Sequence, residues 1–441
     1  MLDKPTILEI LSDWNFWKRD LPVGIERERY LSRVNSFLKS NVILAIIGVR
    51  RAGKSFLMRQ IAKRLISQGV KRENILIVNF EDKRFIDFSI ELLDKIYETY
   101  LETVKPKEGK VFLFLDEVHK VSQWERWVRT FHELQKGKVI ISGSSANLMK
   151  GELATLLTGR HLDLNVFPLS FSEFLYFKGL KIKNDLDLVS QKITIRKYFN
   201  EYFEFGGFPE VVLSDEKKLL LLTYFDDIIT KDIEGRFQIK EKMKLRSLIR
   251  FYLSNIGNLI TFNSLKKILE ISTDTIEKFS YFFVQANLIF FLKKFSFKIK
   301  KQEKSPRKVY TIDLGLANAV GFRFSQRKDF AFENLVALEL KRKQNDDPLL
   351  EMYYWQDERK REVDFVLKRN FQVKECIQVS AVETEKEIPE REIKSLLKCA
   401  EKLKCSNLLI ITSDYEGEKK IKNKLIKFIP LWKWLLKKPK F

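Results

Sequence analysis

An α/β fold organised on a parallel sheet is the class this sequence predicts, and three observations carry the prediction. Between positions 41 and 165, short and almost wholly apolar runs (Val42–Ile47, Ile75–Phe80, Val111–Leu115, Val139–Ile141) alternate with helical patterns at Ser55–Ser67, Ser89–Thr103 and Trp124–Leu134. Strands with no alternating polar face are buried on both sides, as in a parallel sheet covered by helices. The first run passes through a glycine-containing turn straight into a helix, and the third ends on two consecutive carboxylates, Asp116 and Glu117.

The elements follow in order. Residues 1–40 form an N-terminal helical segment, with apolar residues at helical spacing from Ile7 to Trp17 and again across Arg29–Lys39. Residues 41–168 form the α/β core. Residues 169–240 turn helical (Phe171–Lys178, Ile193–Phe205, Lys217–Glu234), broken at Gly206-Gly207-Phe208-Pro209, and read as a helical lid. Residues 241–325 give helix, tight turn at Ile271–Thr273, helix, then strands Leu288–Phe297 and Lys308–Ile312, the pattern of a winged helix-turn-helix with a basic hairpin tip, FKIKKQEKSPRK. Residues 326–441 form a second α/β unit: helix Phe332–Lys343, strands Leu350–Trp355, Glu362–Leu367 and Val373–Val379, helix Glu387–Lys402 and strand Leu408–Ile411. A chain of 441 residues requires such division, since one core serves about 100–200 residues.

The chemistry concentrates at Gly48-Val-Arg-Arg-Ala-Gly53-Lys54-Ser55, which has the spacing of a phosphate-binding loop between strand and helix. Gly48 and Gly53 let backbone N–H groups face an anion, and the helix that follows adds its positive dipole end. Lys54 is expected on the β- and γ-phosphates and Ser55 on Mg²⁺. Asp116, ending the strand VFLFL, is the second metal residue, and Glu117 polarises the attacking water. The end of the fourth run carries Ser142, Ser144 and Ser145, of which Ser144 is the candidate γ-phosphate sensor; plain turn chemistry explains any one of them equally well. Arg50 and Arg51 receive no role.

GVRRAGKS, LDEVH, ISGSS, LLTGRHLDLNVFPLSFSEFL and FGGFPEVV together resemble archaeal and bacterial AAA+-type ATPases, specifically those fused to a winged-helix segment and a C-terminal nuclease-like region of the DUF4143 kind. The resemblance covers nearly the whole chain. It implies ATP and Mg²⁺ as cofactors, a homo-oligomer such as a hexameric ring, and Arg160 of the TGR segment as a finger reaching a neighbour's γ-phosphate. The alternative for Arg160 is an intrachain salt bridge or a surface cation.

Arg361-Glu-Val-Asp364-Phe-Val followed by Ile377-Gln378-Val-Ser380, with Glu333 on the preceding helix, resembles the core of PD-(D/E)xK nucleases. That chemistry needs carboxylates for Mg²⁺ and a lysine for developing charge. Gln378 and Ser380 stand where the second carboxylate and the lysine belong, so the expectation is a degenerate site kept for binding.

Composition narrows the partners. Lys and Arg total 81 against 59 Asp and Glu, a formal charge of +22, which attracts polyanions, nucleic acid ahead of an anionic membrane; a solvated lysine-rich surface is the competing account. Candidate contacts are Thr273, Thr275 and Lys278 on the second helix and Lys298, Lys300, Lys301 and Arg307 on the hairpin. The three histidines lack metal-ligand spacing, and the tryptophans at helical spacing read as core or interface anchors. Three cysteines without CxxC spacing, no signal-peptide pattern and no apolar span of membrane length predict a cytoplasmic protein. The expected function is an ATP-driven rearrangement acting on nucleic acid, with a slow nucleotide switch serving a protein partner, or an active ATP-dependent nuclease, as alternatives.

Overall fold

Five strands, β1 (Ile43–Gly48), β2 (Ile75–Asn79), β3 (Phe112–Asp116), β4 (Lys138–Gly143) and β5 (His161–Val166), pair in parallel in the order β2-β3-β4-β1-β5. This computed structural model describes residues 2–143, 159–321, 328–421 and 423–437, and the chain divides into units 1–166 and 167–441. The four apolar runs, β1 to β4, are buried throughout or nearly so, as fully apolar strands must be. β5 lies at the sheet edge and carries the period-two alternation HLDLNV, which the search for apolar runs passes over.

The odd-numbered positions of β1 (Ile43, Ala45, Ile47) share one core with Leu92, Leu93 and Ile96 of helix Ile90–Thr103 and Val128 and Phe131 of helix Trp124–Glu133. Helix Lys54–Ser67, absent from that core, buries Leu57, Met58 and Ile61 and contacts β1, β3 and β4, so it covers the opposite face.

The N-terminal helical segment lies within this unit. Ile7, Ile10 and Leu11 of helix Lys4–Trp14 join the same core, because their spacing makes one apolar stripe that would otherwise face water. Asn15, fully buried, donates Nδ2 to Ile77 O at 2.8 Å and accepts from Ile77 N at 2.7 Å, which closes the free edge of β2.

The second unit contains two sheets. β6 (Leu259–Ile260), β7 (Ile289–Leu292) and β8 (Arg307–Thr311) form an antiparallel sheet, order β6-β8-β7, beside helices Lys242–Ser254, Phe262–Leu269 and Thr273–Gln285. β9 (Leu350–Gln356), β10 (Glu362–Arg369), β11 (Gln372–Val379), β12 (Leu408–Thr412), β13 (Gly417–Ile421) and β14 (Lys424–Pro430) form a mixed sheet, order β13-β14-β12-β11-β10-β9. Helix Glu390–Lys402 connects the parallel pair β11 and β12. The two sheets are stitched where Tyr354 N donates to Lys293 O at 3.1 Å and Phe295 N to Tyr354 O at 2.6 Å.

The basic tip expected as a hairpin turn is instead a short helix, Ile299–Lys304, and β7 ends at Leu292. IKKQEK is composed of good helix formers, and Ser305-Pro306 stops it.

Asp313 organises the Gly206-Gly207 turn. Its carboxyl accepts from Gly207 N at 2.7 Å and, as the N-cap of helix Leu314–Val320, from Leu316 N at 3.2 Å. Burial pushes this carboxyl up to about 6, against the pull of those N–H donors. A carboxyl raised on folding holds a proton that the unfolded chain has already released. Its contribution is therefore greatest below about pH 4 and is lost as pH rises to about 6, a change of about 3 kcal/mol. Melting temperatures of the wild type and Asp313→Asn across pH 4–7 are expected to shift in the variant's favour as pH rises; parallel curves would contradict this.

Candidate functional site

At the C-terminal edge of the first sheet the chain leaves β1 through two conformations that require their residues. Gly48 has φ +153°, and a Cβ there would stand 2.2 Å from Val166 O; Gly53 has φ +94° immediately before helix Lys54–Ser67. The turn brings Lys54 back over itself, with Nζ 3.2 Å from Gly48 O and 3.3 Å from Val49 O, and leaves the side chain almost wholly buried.

Asp116, also buried, accepts from Ser142 Oγ and lies within hydrogen-bonding reach of Ser55. Burial, then the neighbouring Glu117, push its carboxyl up to about 6, while Ser142, Ser55 and Lys54 oppose the shift. Consecutive strand residues ordinarily face opposite sides of a sheet. Glu117 escapes that rule because its φ of +55° turns the chain as β3 ends, placing Glu117 Oε1 3.8 Å from Lys54 Nζ and Oε2 3.4 Å from His119 Nδ1. A non-glycine residue in this region costs roughly 1 kcal/mol or more, and such conformations gather at functional sites.

Ser142 is the strand-end serine placed here, since it both donates to Asp116 and accepts from Glu117 N at 3.2 Å. Ser144 lies outside the described residues. Arg50 pairs with Glu81 at 3.1 Å beyond the end of β2. Arg160 precedes β5 at the N-terminal edge of the sheet, opposite the Lys54 pocket, and pairs with Glu133 at 3.1 Å.

Two contributors, Arg27 and Gln60, give no motif in the sequence. Arg27 Nη1 donates to Ala52 O, within the loop, at 2.9 Å. Gln60 donates to Val23 O and Ile25 O and accepts from Arg27 N, so the segment preceding helix Glu28–Lys39 is strapped along helix Lys54–Ser67. Only an alignment of partners distant in the chain could have found them.

The second unit gathers the other candidates. Glu333 on helix Lys328–Asp346 and Asp364 on β10 both meet Lys308 Nζ, at 2.7 and 2.9 Å. Gln378 Nε2 and Val379 N donate to Asp364 Oδ2 at 2.8 and 2.9 Å. Ser380 is instead turned towards Glu392, whose carboxyl burial pushes up to about 7.

The surface candidates divide. Lys298, Lys300 and Lys301 are exposed around helix Ile299–Lys304, and Lys278 is exposed on helix Thr273–Gln285. Thr273 begins that helix half-buried, and Thr275 Oγ1 accepts from the cap Ser272 Oγ at 2.8 Å. Arg307 is held by Glu303 at 3.3 Å and lies over the Phe262 ring. Lys308, the last residue of the run expected as a basic tip, is not at the surface.

A phosphate loop feeding a helix, a paired carboxylate strand end and this strand order define a P-loop domain of the AAA type. Residues 40–175 match the family described as an AAA domain, residues 196–328 a domain of unknown function, DUF8612, and residues 328–434 another, DUF4143. The chain is 35% identical over 413 residues to the uncharacterized protein MJ1544 of Methanocaldococcus jannaschii, spanning 90% of this chain and 88% of that one. It is 33% identical over 327 residues to an uncharacterized protein of Haemophilus influenzae, spanning 72% and 79%. It belongs to the family of these proteins, with an AAA-type P-loop ATPase domain and a DUF4143 C-terminal domain. The solved Walker-type ATPase PABY2304 of Pyrococcus abyssi aligns over 70% of this chain and 99% of its own, at 12% identity and a TM-score of 0.44. Among the described residues, no helix is long and apolar enough to cross a membrane.

Proposed function

We propose that the chain is an Mg²⁺-dependent ATPase whose cycle drives a rearrangement acting on nucleic acid. The observation that carries this reading is the convergence of Lys54, Ser55, Asp116 and Glu117 on one pocket beside a loop that only glycine can complete. The donor set suits the ligands: the loop amides and Lys54 for phosphate oxygens, and the Ser55 hydroxyl and Asp116 carboxylate for a hard cation. Mg²⁺, when bound, supplies charge that offsets the phosphate oxygens. Glu117 orients and deprotonates the attacking water, and its contact with Lys54 gives way as the lysine turns from the loop carbonyls to phosphate. Arg160, half-exposed at the far sheet edge, serves only a neighbouring copy's site, which makes turnover depend on assembly.

The order helix, β6, helix, helix, β7, short helix, β8 in the second unit supports reading it as a variant winged helix-turn-helix. Lys298, Lys300 and Lys301 at the tip and Lys278, Thr273 and Thr275 on the second helix supply phosphate contacts. The C-terminal sheet, with Gln378 and Ser380 in place of a carboxylate and a lysine, binds rather than cuts.

ATPase rates measured with and without single- and double-stranded DNA and RNA between about 50 and 200 mM salt test the reading. Stimulation that falls steeply with salt is expected, and replacing Lys298, Lys300 and Lys301 by alanine should reduce the log–log slope by about 2–3. Slow turnover indifferent to nucleic acid would replace this reading with a nucleotide-controlled switch acting on a protein.

A further inference from the structure

The second unit holds a charge cluster that the ATPase reading does not use. Lys308 Nζ is surrounded by three carboxylate oxygens: Glu333 Oε1 and Glu362 Oε1 at 2.7 Å and Asp364 Oδ1 at 2.9 Å. Of the ammonium's three N–H donors, two are taken by Glu333 and Asp364, and Glu362 adds a third ion-pair contact. The lysine is 2% exposed and Glu333 and Asp364 are buried with it, so the amine is the cation that makes their burial tolerable. Burial alone would strip its proton, but Asp364 and Glu333 outweigh that and hold it well above the ordinary lysine range.

The acids and the base come from different parts of the unit. Glu333 is helical, Asp364 and Glu362 are on β10, and Lys308 reaches in from β8 of the three-stranded sheet. Tyr310, also on β8, donates its hydroxyl to the same Glu333 oxygen. Gln378, 7% exposed, lies in the cluster through its bond to Asp364, yet its Oε1 is buried without a hydrogen-bond partner. A buried carbonyl oxygen left without a donor, on a side chain bonded to the Asp364 carboxylate, suits a hard cation better than a hydrogen-bond network.

The geometry points to Lys308 as a built-in substitute for a divalent cation: its ammonium fills the space between the acids, shuts out an ion and fastens β8 to β10. As they stand, the acids wrap an amine, and among the described residues no group of three or more His, Cys, Asp or Glu side chains is set to hold a metal ion. Oxygen distances to Mg²⁺ or Ca²⁺ are about 2.0–2.6 Å, so the carboxylates need to close by only a few tenths of an ångström once the amine is gone. This inference is independent of the ATPase reading.

The test compares Lys308 with Lys308→Ala, which leaves room for an ion, both carrying Asp116→Asn so that the P-loop contributes no metal binding. Mn²⁺ is the probe, followed by electron paramagnetic resonance and thermal unfolding. The Lys308→Ala protein is expected to bind about one additional Mn²⁺ per chain, lost on adding Asp364→Asn, and to melt roughly 5 °C higher with saturating Mn²⁺. The protein retaining Lys308 is expected to show neither response. A second readout covers the case in which Lys308→Ala folds poorly. Glu333→Gln should lower the melting temperature when Lys308 is present and raise it, or restore folding, in the Lys308→Ala background. Mn²⁺ binding that depends on Asp364 while Lys308 is present would overturn the proposal. So would a folded Lys308→Ala protein indifferent to Mn²⁺, or a Glu333→Gln effect of the same sign in both backgrounds.

Discussion

Lys54→Ala is expected to abolish ATP turnover, by about 10³-fold or more, while the first unit stays folded. The two results separate because Lys54 takes part in both states. Without nucleotide its ammonium bonds Gly48 O and Val49 O, so its loss removes two polar contacts near a pocket, a cost of about 1–2 kcal/mol and a fall of a few degrees in melting temperature. On the proposed reading the same amine turns to the phosphates when nucleotide binds, so its loss removes that contact from turnover. Glu117→Gln gives the contrasting result. Its amide keeps the shape of the φ +55° turn and leaves Lys54 free, so nucleotide binding persists while turnover falls by about 10²–10⁴-fold. Phosphate release and equilibrium nucleotide titration on the same preparations read both effects. Equal turnover in Lys54→Ala and wild type would remove the enzymatic assignment.

The readable and unreadable parts of this molecule differ in how far apart in the chain the cause and the consequence lie. Gly48, Gly53, Lys54 and Ser55 act within eight residues, and the strand before and helix after them are set by local pattern, so their grouping is visible in the sequence. Asp116 joins them through the parallel order of β1, β4 and β3, which apolar runs of similar length make foreseeable. That Glu117 shares the pocket depends on one left-handed residue, which no composition rule marks. Ser142 and Ser144 cannot be told apart without the strand's register. The largest misreading is Lys308. In the run KIKKQEKSPRK it looks like one more solvated charge, and only the approach of β8 to β10 turns it into the counter-ion of a buried cluster. Edge strand β5 and the lysine-rich β13 and β14 escape notice for a related reason: their half-exposed alternation carries little apolar signal.

Gly206→Ala is expected to destabilise the second unit by about 3–5 kcal/mol, near the upper end of single-substitution effects. Gly206 ends helix Lys192–Phe205 at φ +73°, and a Cβ there would stand 2.0 Å from Asp313 Oδ1. The carboxylate has nowhere to retreat, because Gly207 N and Leu316 N both hold it and it is buried. The backbone cannot yield either. Leu169 N donates to Gly207 O at 2.7 Å, and Tyr202 Oη and Arg342 Nη2 donate to Leu169 O at 3.0 and 3.1 Å. Two costs are therefore combined, a backbone conformation (φ +73°, ψ −155°) essentially reserved for glycine at about 1–3 kcal/mol and a collision with a fixed acid for the rest. A double-mutant cycle with Asp313→Ala separates them. If the collision matters, Gly206→Ala added to Asp313→Ala costs only the conformational part, about 1–3 kcal/mol, and the coupling energy is about 2 kcal/mol or greater. Strict additivity in denaturant unfolding would mean that the turn conformation alone, and not the acid beneath it, requires glycine.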